Sequence, residues 1–363
     1  MGYRPEPAHR HGSAARSAVL LVNLGTPAAP TAAAVRRYLA EFLSDPRVVE
    51  IPRLVWWPIL HGIVLRTRPA RSAAKYAGIW LPEGSPLAVW TARQATLLAG
   101  YLGERGHRIE VRPAMRYGEP SLASALDALR ADGVTRVLVL PLYPQYAGAT
   151  TGSVSDAVLR WAGGARRVPE LRFVGAYHDD PGYIGALAER ASEHWRINGR
   201  GERLVLSFHG LPQRSLALGD PYHCQCQTTA RLLGERLGLA PGLVLVTFQS
   251  RFGKAQWLQP YTEPTLRRLA AEGVKTVDLM CPGFVADCLE TLEEINQEAR
   301  QAFLAAGGES FEYIACLNDQ PAWIRALTVI AERHLQGWDT QAAPDAGALQ
   351  RQRERALALG ASS

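Results

Sequence analysis

The sequence predicts an α/β protein made of two similar Rossmann-like domains, each a parallel sheet flanked by helices, with a cleft between them. Three observations predict it. Short runs rich in Val, Leu and Ile alternate with helical patterns along the chain, the alternation that builds parallel doubly wound sheets. The alternation starts afresh near residue 171. One α/β unit also recurs. Residues 119–144 read EPSLASALDALRADGVTRVLVLPLYP and residues 263–284 read EPTLRRLAAEGVKTVDLMCPGF. With the two Glu-Pro pairs aligned, the first copy is four residues longer, about one helical turn. LLVNLGTP likewise echoes LVLSFHGLP, and AMRYGEP echoes FQSRFGK.

In chain order, residues 1–16 read as a disordered leader. Ala18 to Leu24 is a buried strand and Thr31 to Leu43 a helix. Residues 44–90 are rich in Pro and Trp and read as irregular, with a helix near Ser72 to Tyr76. A helix over Thr91 to Arg105, a strand over Arg108 to Met115, a helix over Leu122 to Ala131 and a strand over Thr135 to Leu142 complete a first lobe, residues 17–160. The second lobe, residues 161–320, has strands at Leu171–Tyr177, Arg203–His209, Leu243–Gln249, Lys275–Met280 and Phe311–Cys316. Helices at Tyr183–Asn198, Gln225–Leu237 and Tyr261–Glu272 separate them. A last helix, Pro321 to His334, is assigned with residues 321–336 to the first lobe. Residues 337–363 are Ala-rich and charged, a loosely attached tail with a short helix expected around Leu349 to Leu357.

Of 363 residues, 47% are hydrophobic and 20% charged, with a net charge of +6. That is a globular composition with two cores, and the modest basic excess suits an anionic substrate or membrane surface. No basic patch interleaved with aromatics argues for nucleic acid. The five Cys are scattered and no signal peptide is apparent, so reduced thiols in the cytoplasm are expected. The most membrane-like stretch is LVWWPILHGIVL at 54–65. It is too short to span, and reads either as an apolar lip against a bilayer or as a packed segment.

Two places draw the chemistry. The first is the stretch VDLMCPGFVADCLETLEEINQEA, residues 277–299. Leu289, Leu292, Ile295 and Ala299 give it an apolar face, while Asp287, Glu290, Glu294 and Glu298 follow at spacings of three, four and four. Four like charges with no Lys or Arg in the helix suit a cation or departing protons. Glu293 falls off this stripe. By itself the stretch favours a plainer account, a near-capping box at Asp287 and Glu290 followed by a solvated face. The second place is His209, which ends a buried strand before a Gly-Leu-Pro turn. There it reads evenly as a functional histidine and as a packed one. No dinucleotide fingerprint or phosphate-binding loop is present, and Cys224-Gln-Cys226 is too tight for a zinc knuckle.

The motifs LVNLGTP, SPL at 85–87, PLYPQY, SFHGLP, GDPY at 219–222, TFQSRFG and CPGFVADCLETLEEI together resemble the bacterial, proteobacterial-type ferrochelatases, from about Ala18 to His334. That resemblance implies two chelatase-type lobes around a porphyrin cleft, and an enzyme that inserts ferrous iron into protoporphyrin IX to make haem. It assigns His209 and Glu290 to catalysis and metal handling, on opposite faces of the macrocycle. It assigns Asp287, Glu294 and Glu298 to an acidic row behind them. Leu24, Tyr76, Ser85, Arg116, Tyr117, Tyr146, Trp257 and Phe284 fall to the porphyrin pocket. Arg116 is the first candidate for pairing with the propionates, and Arg251 holds an equal motif position. Cys288 stands where many relatives carry a second histidine, which weighs against any mechanism needing two histidines there. No permanently bound cofactor and no [2Fe–2S] cluster are expected, iron being a substrate. A monomer or weak homodimer is expected, cytoplasmic, with peripheral contact at the inner face of the cell membrane.

Alternatives are the same fold handling another metal or tetrapyrrole, such as cobalt and an earlier precursor, a coproporphyrin ferrochelatase, and a porphyrin or haem carrier without catalysis. The acidic stripe speaks against the carrier, which needs no path for metal or protons.

Overall fold

The structure, a computed structural model, describes residues 3–253 and 255–362; Lys254 of the FQSRFGK stretch and residues 1, 2 and 363 lie outside it. Eight strands form two sheets. The first contains β1 (Arg16–Gly25), β2 (Ile109–Tyr117), β3 (Val134–Pro141) and β4 (Glu170–Phe173), in the order β2-β1-β3-β4. The second contains β5 (Arg203–His209), β6 (Val244–Gln249), β7 (Thr276–Met280) and β8 (Ser310–Ile314), in the order β6-β5-β7-β8. All pairings are parallel. The two sheets therefore share one topology, as the repeat requires.

Side chains alternate faces along a strand. In β1, Val19 and Leu21 enter a large core that also contains Leu204 and Leu206 of β5. Ala18, Leu20 and Val22 pack the other way, under helices Leu122–Ala131 and Ser153–Ala162. One core thus runs across both lobes, each fully buried Val or Leu contributing roughly 1.5–3 kcal/mol. The helix Pro321–Leu335 lies on Pro86–Glu104 of the first half and Pro181–Asn198 of the second. Arg105 pairs with Glu332 at 2.6 Å, and Arg172 donates to the carbonyls of His334 and Gln336.

Four expectations need correction. The repeat pairs Pro120 with Pro260, not with Pro264. The Met115 N–H donates to the Pro120 carbonyl at 2.7 Å, as Phe248 N–H does to Pro260 at 2.8 Å. From those prolines to Gly133 and Gly273 the spacing is equal, so no helical turn is missing. Residues 44–90 are largely helical rather than irregular: Arg53–Ile59, a π-helical turn Leu60–Val64, and Leu65–Ile79 run continuously. Proline normally breaks a helix by freeing the carbonyl four residues back. For Pro69 that carbonyl belongs to Leu65, and Arg36 Nε donates to it at 2.9 Å. The leader is held rather than disordered, as Arg4 donates from its N–H to Gly164 and from its guanidinium to Trp161 and Asp127. The strand expected at Leu171–Tyr177 in the second lobe is β4, which pairs with β3 in the first sheet. The tail forms the helix expected around Leu349 to Leu357, over Ala346–Ala358, lying against Gly12. No described helix is long and apolar enough to cross a membrane.

Candidate active site

The carboxyl ends of β6, β5 and β7 lie side by side in the second sheet, Leu24 near the end of β1 packs with Phe284 beyond β7, and the segments that leave these strands carry the site. β5 ends at His209, which pairs in register with Gln249 of β6. The half-buried imidazole sets its Nδ1 2.7 Å from the Gly210 carbonyl. A carbonyl only accepts, so Nδ1 carries the proton and Nε2 keeps its lone pair. Gly210 is required here, because a Cβ would lie 2.7 Å from the Gln249 carbonyl and 3.1 Å from the Trp257 ring. Trp257 therefore packs against Gly210, next to the histidine in the chain, and its indole N–H is buried with no partner among the described residues.

After β7 the chain runs through Pro282 and Gly283 before the helix opens. That helix is π-helical over Glu290–Ala299 and becomes α-helical at Arg300. Its i→i+5 bonding rearranges the acidic row that an α-helical reading puts in one stripe. The Glu294 side chain and the Glu290 backbone carbonyl face β6 and the residue after it. Gln249 Nε2 donates to the Glu290 carbonyl at 2.8 Å, and Ser250 donates its N–H and hydroxyl to the Glu294 carboxylate at 2.6 and 2.5 Å. The Glu290 carboxylate reaches the Cys288 thiol and lies near Tyr38 and Tyr76. Burial raises the Glu294 pKa above its ordinary value, opposed by the Ser250 hydroxyl and the adjacent His209.

Glu298 instead joins Glu293, one π-turn earlier, around Lys75 of the helix Leu65–Ile79, at 2.8 and 2.9 Å. Glu298 is therefore compensated, but from another element. Burial works against the Lys75 charge, yet its bonds to Glu298 and Glu293 outweigh that and raise its pKa. Asp287 is not in the row either. It is 4% exposed, and its carboxylate accepts from Tyr313, Asn318 and Thr291. It anchors the turn between β7 and the helix.

Leu24, Phe284 and Trp90 pack against Leu87, Ala286 and Cys288. Tyr76 is buried with Leu289 and Leu292 against it. The Ser85 hydroxyl accepts from Thr26 at 2.7 Å, and Thr26 also bonds Tyr76. Leu24, Tyr76, Ser85, Phe284 and Glu290 thus come together around one wall. Arg116 and Tyr117 form a separate cluster: Arg116 pairs with Asp45 and donates to Ser153, and the Tyr117 hydroxyl donates to Asp45 at 2.8 Å. Tyr146 lies beside Arg47 at Gly152, and Arg251 is exposed over the Tyr261 ring. Cys281, Cys288 and Cys316 are buried near Asp287, and burial pushes their thiols up, so they stay neutral.

Sequence reasoning missed Gln249, Lys75 and Arg68. Gln249 sits inside the TFQSRFG motif, and its strand-end place was the available signal. Arg68 lies 4.2 Å over the Phe252 ring with no carboxylate partner among the described residues, and burial lowers its pKa. Of helix Leu65–Ile79 only Ser72 to Tyr76 was expected, which left Arg68 outside it and gave no sign of what Lys75 would face.

The comparisons agree with this geometry. A family model described as Ferrochelatase matches residues 16–335. The ferrochelatase of Methylibium petroleiphilum is 71% identical and aligns over 100% of both chains. That of Polaromonas sp. is 64% identical, over 99% of this chain and 100% of its own. Among solved structures, SirB from Bacillus subtilis with Fe3+ is 14% identical with a TM-score of 0.53, covering 90% of this chain and 98% of that one. The sirohydrochlorin chelatase SirB of subspecies spizizenii with cobalt is 13% identical with a TM-score of 0.50, over the same shares. These two likenesses establish the chelatase-type fold alone. With a strand-end histidine whose Nδ1 donates to a carbonyl, the Glu294 carboxylate near it and a family match over nearly its whole length, the chain belongs to the ferrochelatase family and is a metal chelatase.

Proposed function

We propose that this chain inserts ferrous iron into protoporphyrin IX, releasing two protons to give protohaem, the last step of haem biosynthesis. The observation that carries the reading is His209, with Nδ1 committed to Gly210, Nε2 without a partner among the described residues, and the Glu294 carboxylate close by. The macrocycle loses two pyrrole N–H protons as the dication enters, so the site needs a lone pair on one face and carboxylates on the other. We assign His209 Nε2 to the first proton or to the first bond with iron, and Glu290 to the opposite face. Glu294, whose pKa burial raises, receives protons beyond them. Glu298 and Glu293, tied to Lys75, form the outer end of the path.

Leu24, Phe284, Tyr76 and Trp257 supply the apolar walls that fix and bend the ring. Arg116 is spent on Asp45. Arg68, exposed over the Phe252 ring with no carboxylate partner among the described residues, is the better partner for a propionate. No bound cofactor enters this reading, and the buried, neutral thiols are not assigned to a [2Fe–2S] cluster.

Leu54, Val55, Trp57, Ile59 and Ile63 are exposed on one segment. We read them as a lip that takes the poorly soluble ring from an anionic membrane surface, with the protein otherwise cytoplasmic and a monomer or weak homodimer. The test is anaerobic incubation with ferrous iron and, separately, protoporphyrin IX, coproporphyrin and sirohydrochlorin, read by loss of the free-base Q bands. The expected result is fastest turnover of protoporphyrin IX. Faster metallation of either other ring overturns the substrate assignment.

A further inference from the structure

The segments before and after the family match meet on the surface, and neither takes part in the cleft. Residues 3–13 are strapped to the first lobe. Besides the Arg4 bonds, Glu6 accepts the Arg166 and Arg167 N–H groups and pairs with Arg130 at 3.5 Å. At Gly12 the strap takes a φ of 74° and presses on the helix Ala346–Ala358. A Cβ there would lie 2.6 Å from the Leu349 carbonyl, so no other residue allows this approach.

Between strap and helix lies a cavity of about 500 Å3 whose lining includes Arg10, His11, Ser13, Leu349, Gln350 and Arg353. It contains no carboxylate. The Arg10 and Arg353 guanidiniums have no carboxylate partner among the described residues, although four other arginines near these segments do: Arg4, Arg16, Arg130 and Arg351. Helix Ala346–Ala358 buries none of its side chains, so little apolar contact holds it in place. Two cationic forks lining one cavity, on elements so lightly joined, call for an anion between them.

We propose that strap and tail helix together form a binding site for a phosphate-class polyanion, which docks the helix onto the first lobe. Donors reach this cavity from both walls, as Arg10, His11 and Ser13 from one side and Arg353 from the other. A tetrahedral phosphate accepts from several directions at once, whereas a carboxylate accepts mainly in its own plane. The cavity volume accommodates two linked phosphates. The site lies outside residues 16–335 and does not depend on the reading of the cleft.

The experiment is amide hydrogen exchange of residues 346–358 in the full chain, with sodium pyrophosphate against sodium chloride at matched ionic strength. Binding should slow exchange about tenfold at a pyrophosphate concentration about ten times the dissociation constant. The Arg10→Gln/Arg353→Gln double variant should lose that protection. Gly12→Val should exchange fast in both solutions. Vesicles distinguish the source of the phosphate. Protection by phosphatidylglycerol but not phosphatidylcholine vesicles, without any by pyrophosphate and lost in the double variant, assigns it to a lipid headgroup. Protection by pyrophosphate assigns it to a soluble phosphate. No protection by either probe overturns the proposal. So does equal protection by chloride, or protection retained in the double variant, which would mean an adventitious ion only.

Discussion

At the scale of single residues the acidic helix divides its carboxylates by partner. Glu290 has neighbours that hold it without neutralising it, whereas Glu298 is more than half exposed and shared with Lys75. Glu290→Gln should therefore lower kcat by roughly 10²-fold or more, the range for a positioned acid–base group. Glu298→Gln should stay within a few-fold, because an exposed pair contributes only about 0–1 kcal/mol. Steady-state kinetics at saturating porphyrin checks both, and equal losses would mean the row acts as one field. Glu294 adds a pH signature. Burial lifts its pKa above 4.5 in the folded chain. The stability linked to its proton is therefore complete below that ordinary value and lost as pH rises through the raised one. Replacing it with Gln should raise Tm relative to the parent increasingly over that rise. A parallel pair of Tm curves would show that the proton does not matter.

At the scale of elements, helices and strands whose periodicity is strong were legible, and the departures have local causes. Leu122–Ala131 and Arg203–His209 have the expected bounds. The helices from Arg53 to Ile79 were hidden by Pro58 and Pro69, since nothing in the sequence says that Arg36 will take the Leu65 carbonyl. The π-helix was equally hidden, and with it the regrouping of Glu298 with Glu293. The same segment decides which tryptophan is a lip residue. Trp56 is 7% exposed with its indole N–H on the Leu43 carbonyl, while Trp57 is 44% exposed under Arg53. Trp56→Ala should cost about 3–5 kcal/mol of stability. Trp57→Ser should cost about 0.5 kcal/mol or less and weaken binding to anionic vesicles. Tm and vesicle co-sedimentation separate the two, and unchanged vesicle binding in Trp57→Ser would remove the lip.

At the scale of the whole molecule, the repeat was the clue that carried furthest. Two sheets of one topology place His209 and the acidic helix at the carboxyl ends of strands in the second, opposite Leu24 and Tyr76 of the first. What the sequence could not supply was the bonding among those ends. Gln249 couples β5 to the π-helix through side-chain bonds of 2.7 and 2.8 Å, and such bonds depend on register rather than on residue type. The central claim is that His209 acts on the bound ring rather than holding the fold. The most direct measurement is single-turnover insertion of ferrous iron by His209→Ala, with porphyrin affinity measured on the same sample by fluorescence quenching. The expected result is unchanged Tm, porphyrin affinity within a few-fold, and insertion slowed by roughly 10²-fold or more. Insertion at more than about a tenth of the parent rate, set against that expectation for an acid–base group, would contradict the claim.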